Sequence, residues 1–417
     1  MRDWVLHLQD TRGHASHSVP FCSFHPWISP VFPSLSLRRA RLSDAPELTQ
    51  ILHRAKASWG YPAAVMEAFR AEQRISPATI TSQLLIVAER EGRMAAFAGG
   101  EMRQDHFYLG FLFVAPEHQG QGLGRLLLSA IEDLARDQEI YRILLESDPH
   151  AAPFYHHLGY RTLSERPSTM APDQPIPMME RTFEPQFLPL TSIAMRLSRS
   201  QGWAFEAREA KAIAAHWQGL TSVNPSLWNG RKLHTLQVQH DRGHLTARCA
   251  EVNYASFLAW RDWGAPDRAA YNLFGSAIVR SSDGALLYGI MGPKTANHGS
   301  CYPPAGNLDL NDLRSDGSVD VEGSIARELL EEAGLDIDAA RKGTLFALFD
   351  GQRICIGQEL TFDATAEELR AQMLAHAATD PEEELEDIVI LRQADDLKGR
   401  RSPGYARAIA RSLLPKS

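Results

Sequence analysis

Phe107-Tyr108-Leu109-Gly110-Phe111-Leu112-Phe113-Val114 runs directly into Ala115-Pro116-Glu117-His118-Gln119-Gly120-Gln121-Gly122-Leu123-Gly124-Arg125, and then into Leu126-Leu127-Leu128-Ser129-Ala130-Ile131-Glu132-Asp133-Leu134. The first piece, aromatic and aliphatic, predicts a strand, and the last predicts a helix. A strand that passes through a glycine loop into a helix start makes an anion cradle. The first N–H groups of the helix have no partner within it, and its positive end faces the loop. Glycine also lets a pyrophosphate come close to the backbone. A single G-x-G is a weak signal, and the dinucleotide pattern G-x-G-x-x-G is absent.

The residues downstream of the loop raise its weight. A strand is expected over Tyr141 to Glu146, then the run Ala152-Pro153-Phe154-Tyr155-His156-His157-Leu158-Gly159-Tyr160. Together these resemble the GNAT acyltransferases, whose Q/R-x-x-G-x-G/A loop binds the pyrophosphate of acetyl-CoA and whose later helix carries F-Y-x-x-x-G-F/Y. Gln119, Gly122 and Gly124 match the loop, and Phe154, Tyr155, Gly159 and Tyr160 match the helix. The opening Leu37 to Ala45 and the strand pair Ile86 to Arg90 and Met94 to Gly99 also resemble this family. The resemblance implies a mixed sheet with flanking helices and acetyl-CoA as co-substrate. It further implies cofactor contacts from Leu112, Phe113, Val114, Gln119, Gly120, Gln121, Gly122, Leu123, Gly124 and Arg125, with Tyr155 protonating the leaving thiolate. Tyr155 could instead simply pack against the sheet. Many relatives place a glutamate on the strand before the loop as a base, and the matching position here is Gly110. Glu101, Asp105, His106 or solvent would then have to take the acceptor's proton.

A second signature lies about two hundred residues further on: Arg327-Glu328-Leu329-Leu330-Glu331-Glu332-Ala333-Gly334-Leu335. At ~100° per residue, Glu328, Glu331 and Glu332 share one face of a helix, while Ile325, Ala326, Leu329, Leu330 and Ala333 form a core side. Like charges at this spacing cost roughly 0.2–0.5 kcal/mol per pair, which a bound cation relieves. Carboxylates without Cys or His suit Mg²⁺ or Mn²⁺, ions that also grip substrate phosphates. The segment resembles the right half of the Nudix box, R-E-U-x-E-E-x-G-U, where U is aliphatic. That implies an α/β/α sandwich, Glu328, Glu331 and Glu332 as metal ligands, a catalytic role for Glu331, and Arg327 orienting the glutamates. The left half departs from the pattern, since Val319 stands where a glutamate is expected and Leu313 where a glycine is. Tyr302-Pro303-Pro304-Ala305-Gly306 looks like the entry to the box, which makes 307–321 an enlarged loop. Glu322 or Asp320 would replace the missing acid. Gly334 reads as the helix C-cap.

The expected fold class is therefore α/β and α+β in two domains. Residues 1–35 are expected as a disordered N-terminal extension, 36–183 as the GNAT-like domain, and 184–200 as a proline-punctuated linker. Residues 201–269 form the forward part of the second half, and 270–415 its Nudix-like core. Within the forward part, Ala204 to Leu220 predicts a helix, Leu233 to Val238 and His244 to Val252 paired strands, and Ala255 to Trp263 an aromatic-rich helix or turn. Its Asn229-Gly230 and Trp260-Arg261-Asp262 are faintly similar to Nudix proteins that cleave UDP-sugars. Trp260 and Trp263 could stack on a base, though core packing is the plainer reading. Glu382 to Asp387 could lend a base from a loop or be a solvated charge run.

Composition narrows the partners. A net charge of -8 and a pI of about 6.1 leave no basic stripe for nucleic acid. Cys22, Cys249, Cys301 and Cys355 are scattered singly, which fits a reduced cytoplasm. No apolar run approaches a membrane span. Small-molecule substrates are expected. The leading expectation is a bifunctional enzyme, an acetyl-CoA-dependent N-acyltransferase and a metal-dependent hydrolase of a nucleoside diphosphate compound. The alternatives are a hydrolase regulated by a non-catalytic acyl-CoA-binding domain, and an acetyltransferase carrying an inactive Nudix-like binding domain.

Overall fold

The computed structural model describes residues 35–168, 175–198, 202–225, 227–295, 297–381 and 383–415. The expected extension at 1–35 lies, save its last residue, outside them. The chain divides into two compact units, one comprising residues 1–135 and 140–182, the other 136–139 and 183–417. No helix among the described residues is long and apolar enough to cross a membrane.

The first unit runs β1 (Leu35–Arg39), α1 (Ala45–Ala57), α2 (Ala63–Glu72), α3 (Pro77–Ser82), β2 (Leu84–Arg90), β3 (Arg93–Met102), β4 (Phe107–Val114), α4 (Leu123–Asp137), β5 (Arg142–Glu146), α5 (Ala152–His157), β6 (Arg161–Arg166) and β7 (Ile176–Thr182). Its sheet has the order β1-β2-β3-β4-β5-β7-β6. Every neighbour pair is antiparallel except β4 with β5, which are parallel and matched only at Phe107↔Ile143 and Tyr108↔Leu144. The rest of β4 has no partner from β5, so the sheet parts in its middle. Gly99 pairs with Phe111 and Gly100 with Leu109, leaving Gly110 as the extra residue of a β-bulge. Phe97, Phe111 and Phe113 turn to the face covered by Leu48, Ile51, Leu52 and Phe69 of α1 and α2.

The second unit runs β8 (Gln186–Leu190), β9 (Ser192–Leu197), α6 (Ala204–Arg208), α7 (Ala210–Val223), β10 (Arg231–Asp241), β11 (His244–Asn253), α8 (Tyr254–Asp262), β12 (Asn272–Arg280), β13 (Leu286–Met291), β14 (Cys301–Tyr302), β15 (Ala305–Asn307), β16 (Ser318–Val319), α9 (Val321–Ala333), β17 (Arg341–Asp350), β18 (Arg353–Thr361), α10 (Ala366–Ala377), β19 (Leu385–Leu391) and α11 (Gly404–Leu413). One sheet is ordered β10-β11-β9-β16; the other is β14-β13-β12-β18-β17-β8, with β15 on β12 and β19 on β13. Neighbouring residues of β12 face opposite ways. A Cβ at Gly275 would press on Ile325 of α9, while Phe274 meets Tyr405 of α11 at 5.1 Å, so helices cover both faces.

The stretch 184–200, expected as a linker, carries β8 and β9. Its prolines are tolerated because β8 is an edge strand, which need not donate from every N–H. Trp260 is buried and its indole N–H donates to the Asp267 carbonyl at 3.0 Å, so it serves the core rather than a base.

Candidate functional sites

In the first unit the loop that leaves β4 turns through a short 3-10 helix, Pro116–His118, before α4 begins. Gly120 and Gly122 sit at φ +71° and +84°, a left-handed backbone that side chains resist. Gln119 donates from Nε2 to the Val114 carbonyl at 3.2 Å and to Ser58 Oγ at 3.3 Å. Gln121 Nε2 donates to the Glu117 carbonyl at 3.0 Å, and Arg90 donates to Gln121 Oε1. The side chains thus turn back to brace the loop, and its backbone is left to meet an anion together with the first turn of α4. Leu112, Phe113 and Val114 lie on the part of β4 that β5 leaves unpaired, a row of backbone groups with no neighbouring strand on that side among the described residues.

Tyr155 is buried on α5, its ring edge-on to Phe154 at 5.2 Å and to Tyr160 at 5.4 Å. Burial, and then the charge of Asp148, push its phenol well above the ordinary value, so it holds its proton at neutral pH. Of the three residues considered as bases, none stands near the loop. Asp105 and His106 hold each other at 2.7 Å in the turn that begins β4, roughly 25 Å by strand rise from the loop at its other end. Glu101 is paired with Tyr108 near that same end and engaged by Arg103 at 3.1 Å.

Sequence reasoning missed a cluster at the far end of β5. Lys56, from the last turn of α1, is buried and forms an ion pair with Asp148. Tyr61 donates its hydroxyl to Asp148 at 3.0 Å, and the His150 N–H donates at 2.9 Å. Lys56 Nζ lies 4.5 Å from the Tyr61 ring centre, 5.2 Å from that of Trp59 and 5.4 Å from that of Phe69. An isolated Lys at a helix end with a Trp and a Tyr in the following loop carries no recognisable spacing, and the carboxylate comes from 92 residues away.

In the second unit the helix α9 forms, begun by the Asp320 side chain accepting from the Gly323 N–H at 3.0 Å and ended by Gly334 at φ +64°. The three glutamates do not share an environment. Glu332 is only 7% exposed, whereas the Glu331 side chain is 60% exposed and Glu328 lies between. Leu330, expected on the core side, is 56% exposed. The physical reason is rotation of the helix: Ile325, Leu329 and Ala333 bury one arc, and Glu332 sits at its margin. Among the described residues no three His, Cys, Asp or Glu groups are gathered closely enough to hold a metal ion. The trio expected from the sequence is therefore not assembled. Glu331 leans toward Arg327 at 3.9 Å, while Glu328 meets Arg327 at 3.3 Å and lies against Gly306, where any Cβ would overlap its carboxyl.

Burial raises the Glu328 carboxyl to about 7, against the lowering pull of Arg327. Burial, then the charges of Glu384 and Glu328, raise Glu332 well above the carboxylate range. Its Oε2 is buried with no hydrogen-bond partner among the described residues. Glu384, from the acidic run before β19, thus bears electrostatically on both.

The acid that secures Arg327 is neither Glu322 nor Asp320. Glu322 pairs with Lys342 at 3.3 Å, and Asp320 caps the helix and pairs with Arg314 at 2.8 Å. Asp312 takes the place, its buried carboxylate accepting from Arg327 at 2.7 Å and from the Asp309 N–H at 2.9 Å. The clue was Asp309-Leu310-Asn311-Asp312, a helix-start pattern inside the enlarged loop, whose far end is held as β16 against β9.

A sheet opened between two parallel strands, with a braced glycine loop at a helix start and a buried tyrosine beside it, is the arrangement of an acyl-CoA-dependent transferase. The acetyltransferase (GNAT) domain model matches residues 57–172, and the chain belongs to this family. It is 30% identical over 146 residues to the L-amino acid N-acyltransferase MnaT of Escherichia coli (strain K12), an alignment spanning 32% of this chain and 83% of that protein. The uncharacterized N-acetyltransferase YjcF of Bacillus subtilis (strain 168) is 29% identical over 96 residues, 23% of this chain and 68% of its own. The crystal structure of the PaiA N-acetyltransferase from Thermoplasma acidophilum, in complex with coenzyme A, aligns with a TM-score of 0.32 and 17% identity over 36% of this chain and 99% of that one.

Proposed function

We propose that the first unit transfers an acetyl group from acetyl-CoA to a primary amine. The parted sheet beside the glycine loop carries this reading, because it offers both an anion cradle and an unpaired strand edge for an amide-bearing chain. The pyrophosphate would lie on the backbone of Gln119 to Gly124, and the amides of the pantetheine along Leu112, Phe113 and Val114. The amine nitrogen attacks the thioester carbonyl, and Tyr155 gives its phenolic proton to the departing sulfur. Most of the acceleration comes from holding the reactants together. Similarity to MnaT makes the α-amine of an L-amino acid the first acceptor to try. The test is thiol release from acetyl-CoA across a panel of L-amino acids and polyamines; binding without any turnover would leave a sensor.

For the second unit we propose a Nudix-like hydrolase of a nucleoside diphosphate compound, acting on small molecules. The buried Oε2 of Glu332, unpaired among the described residues and set in the field of Glu384, Glu328 and Glu331, supports it, because a cation would relieve the mutual repulsion of these acids. Glu328, Glu331 and Glu332, which are not gathered in this structure, would have to be drawn together to hold Mg²⁺ or Mn²⁺, a hard ion that their oxygens suit and that would neutralise the diphosphate and acidify a water. Asp312 fixes Arg327, and Arg327 in turn steers Glu328 and Glu331. Formation of the two phosphomonoesters from UDP-sugars, dinucleotides and CoA, with Mg²⁺ and with EDTA, tests the reading. Cleavage of none of them in either condition would refute it.

A further inference from the structure

In the first unit a buried lysine lies between the glycine loop and the turn that starts α5. Lys56 is bracketed by the parts that serve the proposed acyl donor. Two residues before it Arg54 pairs with Glu117 of the glycine loop, and two residues after it Ser58 accepts from Gln119 of the same loop at 3.3 Å. On its other side it pairs with Asp148, whose carbonyl takes the Ala151 N–H at 2.9 Å and the Ala152 N–H at 3.1 Å to start the turn into α5. Tyr155 stands one turn further along α5, keeps its proton, and faces the field of Asp148. The end of α1 therefore links the loop to the turn that starts α5, with an amine, a carboxylate and three aromatic rings between.

We propose that Lys56 is a self-acetylation site, its Nζ taking the acetyl group from acetyl-CoA bound in the same unit. The proposal rests on the acetyl-transfer reading above. The ammonium first passes one proton to Asp148, and burial favours the neutral amine that results. The nitrogen lone pair then attacks the thioester carbonyl, a C–N bond forms, and the C–S bond breaks with its electron pair on sulfur. Tyr155 protonates that sulfur and is restored by the second proton leaving the nitrogen. Asp148 returns its proton to water, and the products are an acetamide at Lys56 and free CoA thiol. The acetamide carries no charge, so the ion pair to Asp148 is lost while the contacts from Tyr61 and His150 remain.

Burial makes the proposal separable from chemical acetylation by free acetyl-CoA. The Lys56 side chain is 6% exposed, whereas those of Lys294, Lys342 and Lys398 are 55%, 53% and 70% exposed. A thioester in bulk solvent modifies the exposed lysines first; only a bound one reaches Lys56. The full chain is incubated with acetyl-CoA at neutral pH, and acetyl occupancy of each lysine is followed by peptide mass spectrometry. The expected result is occupancy at Lys56 at least tenfold above that at Lys294, Lys342 and Lys398 at early times, and loss of the Lys56 signal alone in Gly122→Asp. Tyr155→Phe slows Lys56 acetylation without touching the other three. Calorimetric titration with acetyl-CoA runs in parallel. Binding with Lys56 unmodified, or modified no faster than the exposed lysines, overturns the self-acetylation; no binding at all overturns the transferase reading itself.

Discussion

Glu328→Gln should make the second unit more stable in alkali and leave it unchanged in acid. Burial lifts this carboxyl from 4.5 to about 7 in the folded chain. At about 1.4 kcal/mol per unit, the folded state is penalised by about 3 kcal/mol once Glu328 ionises. The sign is set by proton affinity, since the folded state binds this proton more tightly than the unfolded one. Stability is full below pH 4.5 and is lost as pH rises through about 7. The amide does not ionise, so the variant escapes the loss. For a unit of this size that is roughly 6–12 °C of melting temperature at pH 8 in EDTA, falling to near zero at pH 4.5. Tryptophan fluorescence is a suitable probe, because Trp203, Trp217, Trp228, Trp260 and Trp263 all belong to this unit. Melting both proteins at the two pH values isolates Glu328 from every other titrating group. Equal melting at pH 8, or a variant that is weaker there, would refute the claim that Glu328 is held as a desolvated acid.

The same sites carry further expected outcomes. Mg²⁺ should raise the melting temperature of the wild type at pH 8, and fail to do so in Glu332→Gln, which should also lose metal-dependent cleavage of the diphosphate. Asp312→Asn removes a charged acceptor from Arg327 and should cost about 1.5–3 kcal/mol in urea unfolding, with hydrolysis falling further than stability accounts for. Gly122→Asp should abolish acetyl-CoA binding by calorimetry while the chain remains folded, since a carboxylate would enter the anion cradle; unchanged affinity would sink the assignment of the loop. Tyr155→Phe should lower kcat roughly 10²-fold or more at unchanged acetyl-CoA affinity, whereas wild-type turnover would make the hydroxyl a packing group.

Local pattern carried much of this architecture. The strand before the glycine loop, the helix after it, the β10–β11 hairpin and the helix ended by Gly334 all appear near their expected places, because each is specified by periodicity and end signals within a dozen residues. What escaped depends on contacts distant in sequence. Projection alone put Leu330 in the core and Glu332 on the acidic face, but the packing of Ile325 and Leu329 rotates α9 and reverses both. Asp312 was invisible as the partner of Arg327 because its loop is shaped by β16 joining β9, more than a hundred residues upstream. Lys56 and Asp148 likewise meet only once α1 lies along the parted sheet. Gly110 was legible as a missing glutamate, yet its place as a bulge needed the register of β3.

The two strands at 186–197 decide where this chain can be cut. A protein begun at residue 201, at the end of the expected linker, would lack β8 and so uncover the edge of β17 from Leu345 to Phe349, an apolar stretch that includes Phe346 and Leu348. Phe346 would lose the ring of Phe187, stacked on it at 4.3 Å. Removing β9 would also part β11 from β16 and release the loop that carries Asp312. Long apolar edges of this kind recruit strands from other molecules. Expression of the second half from residue 201 should therefore give more insoluble aggregate than a start near 183, a difference visible in a simple sedimentation of cell extract.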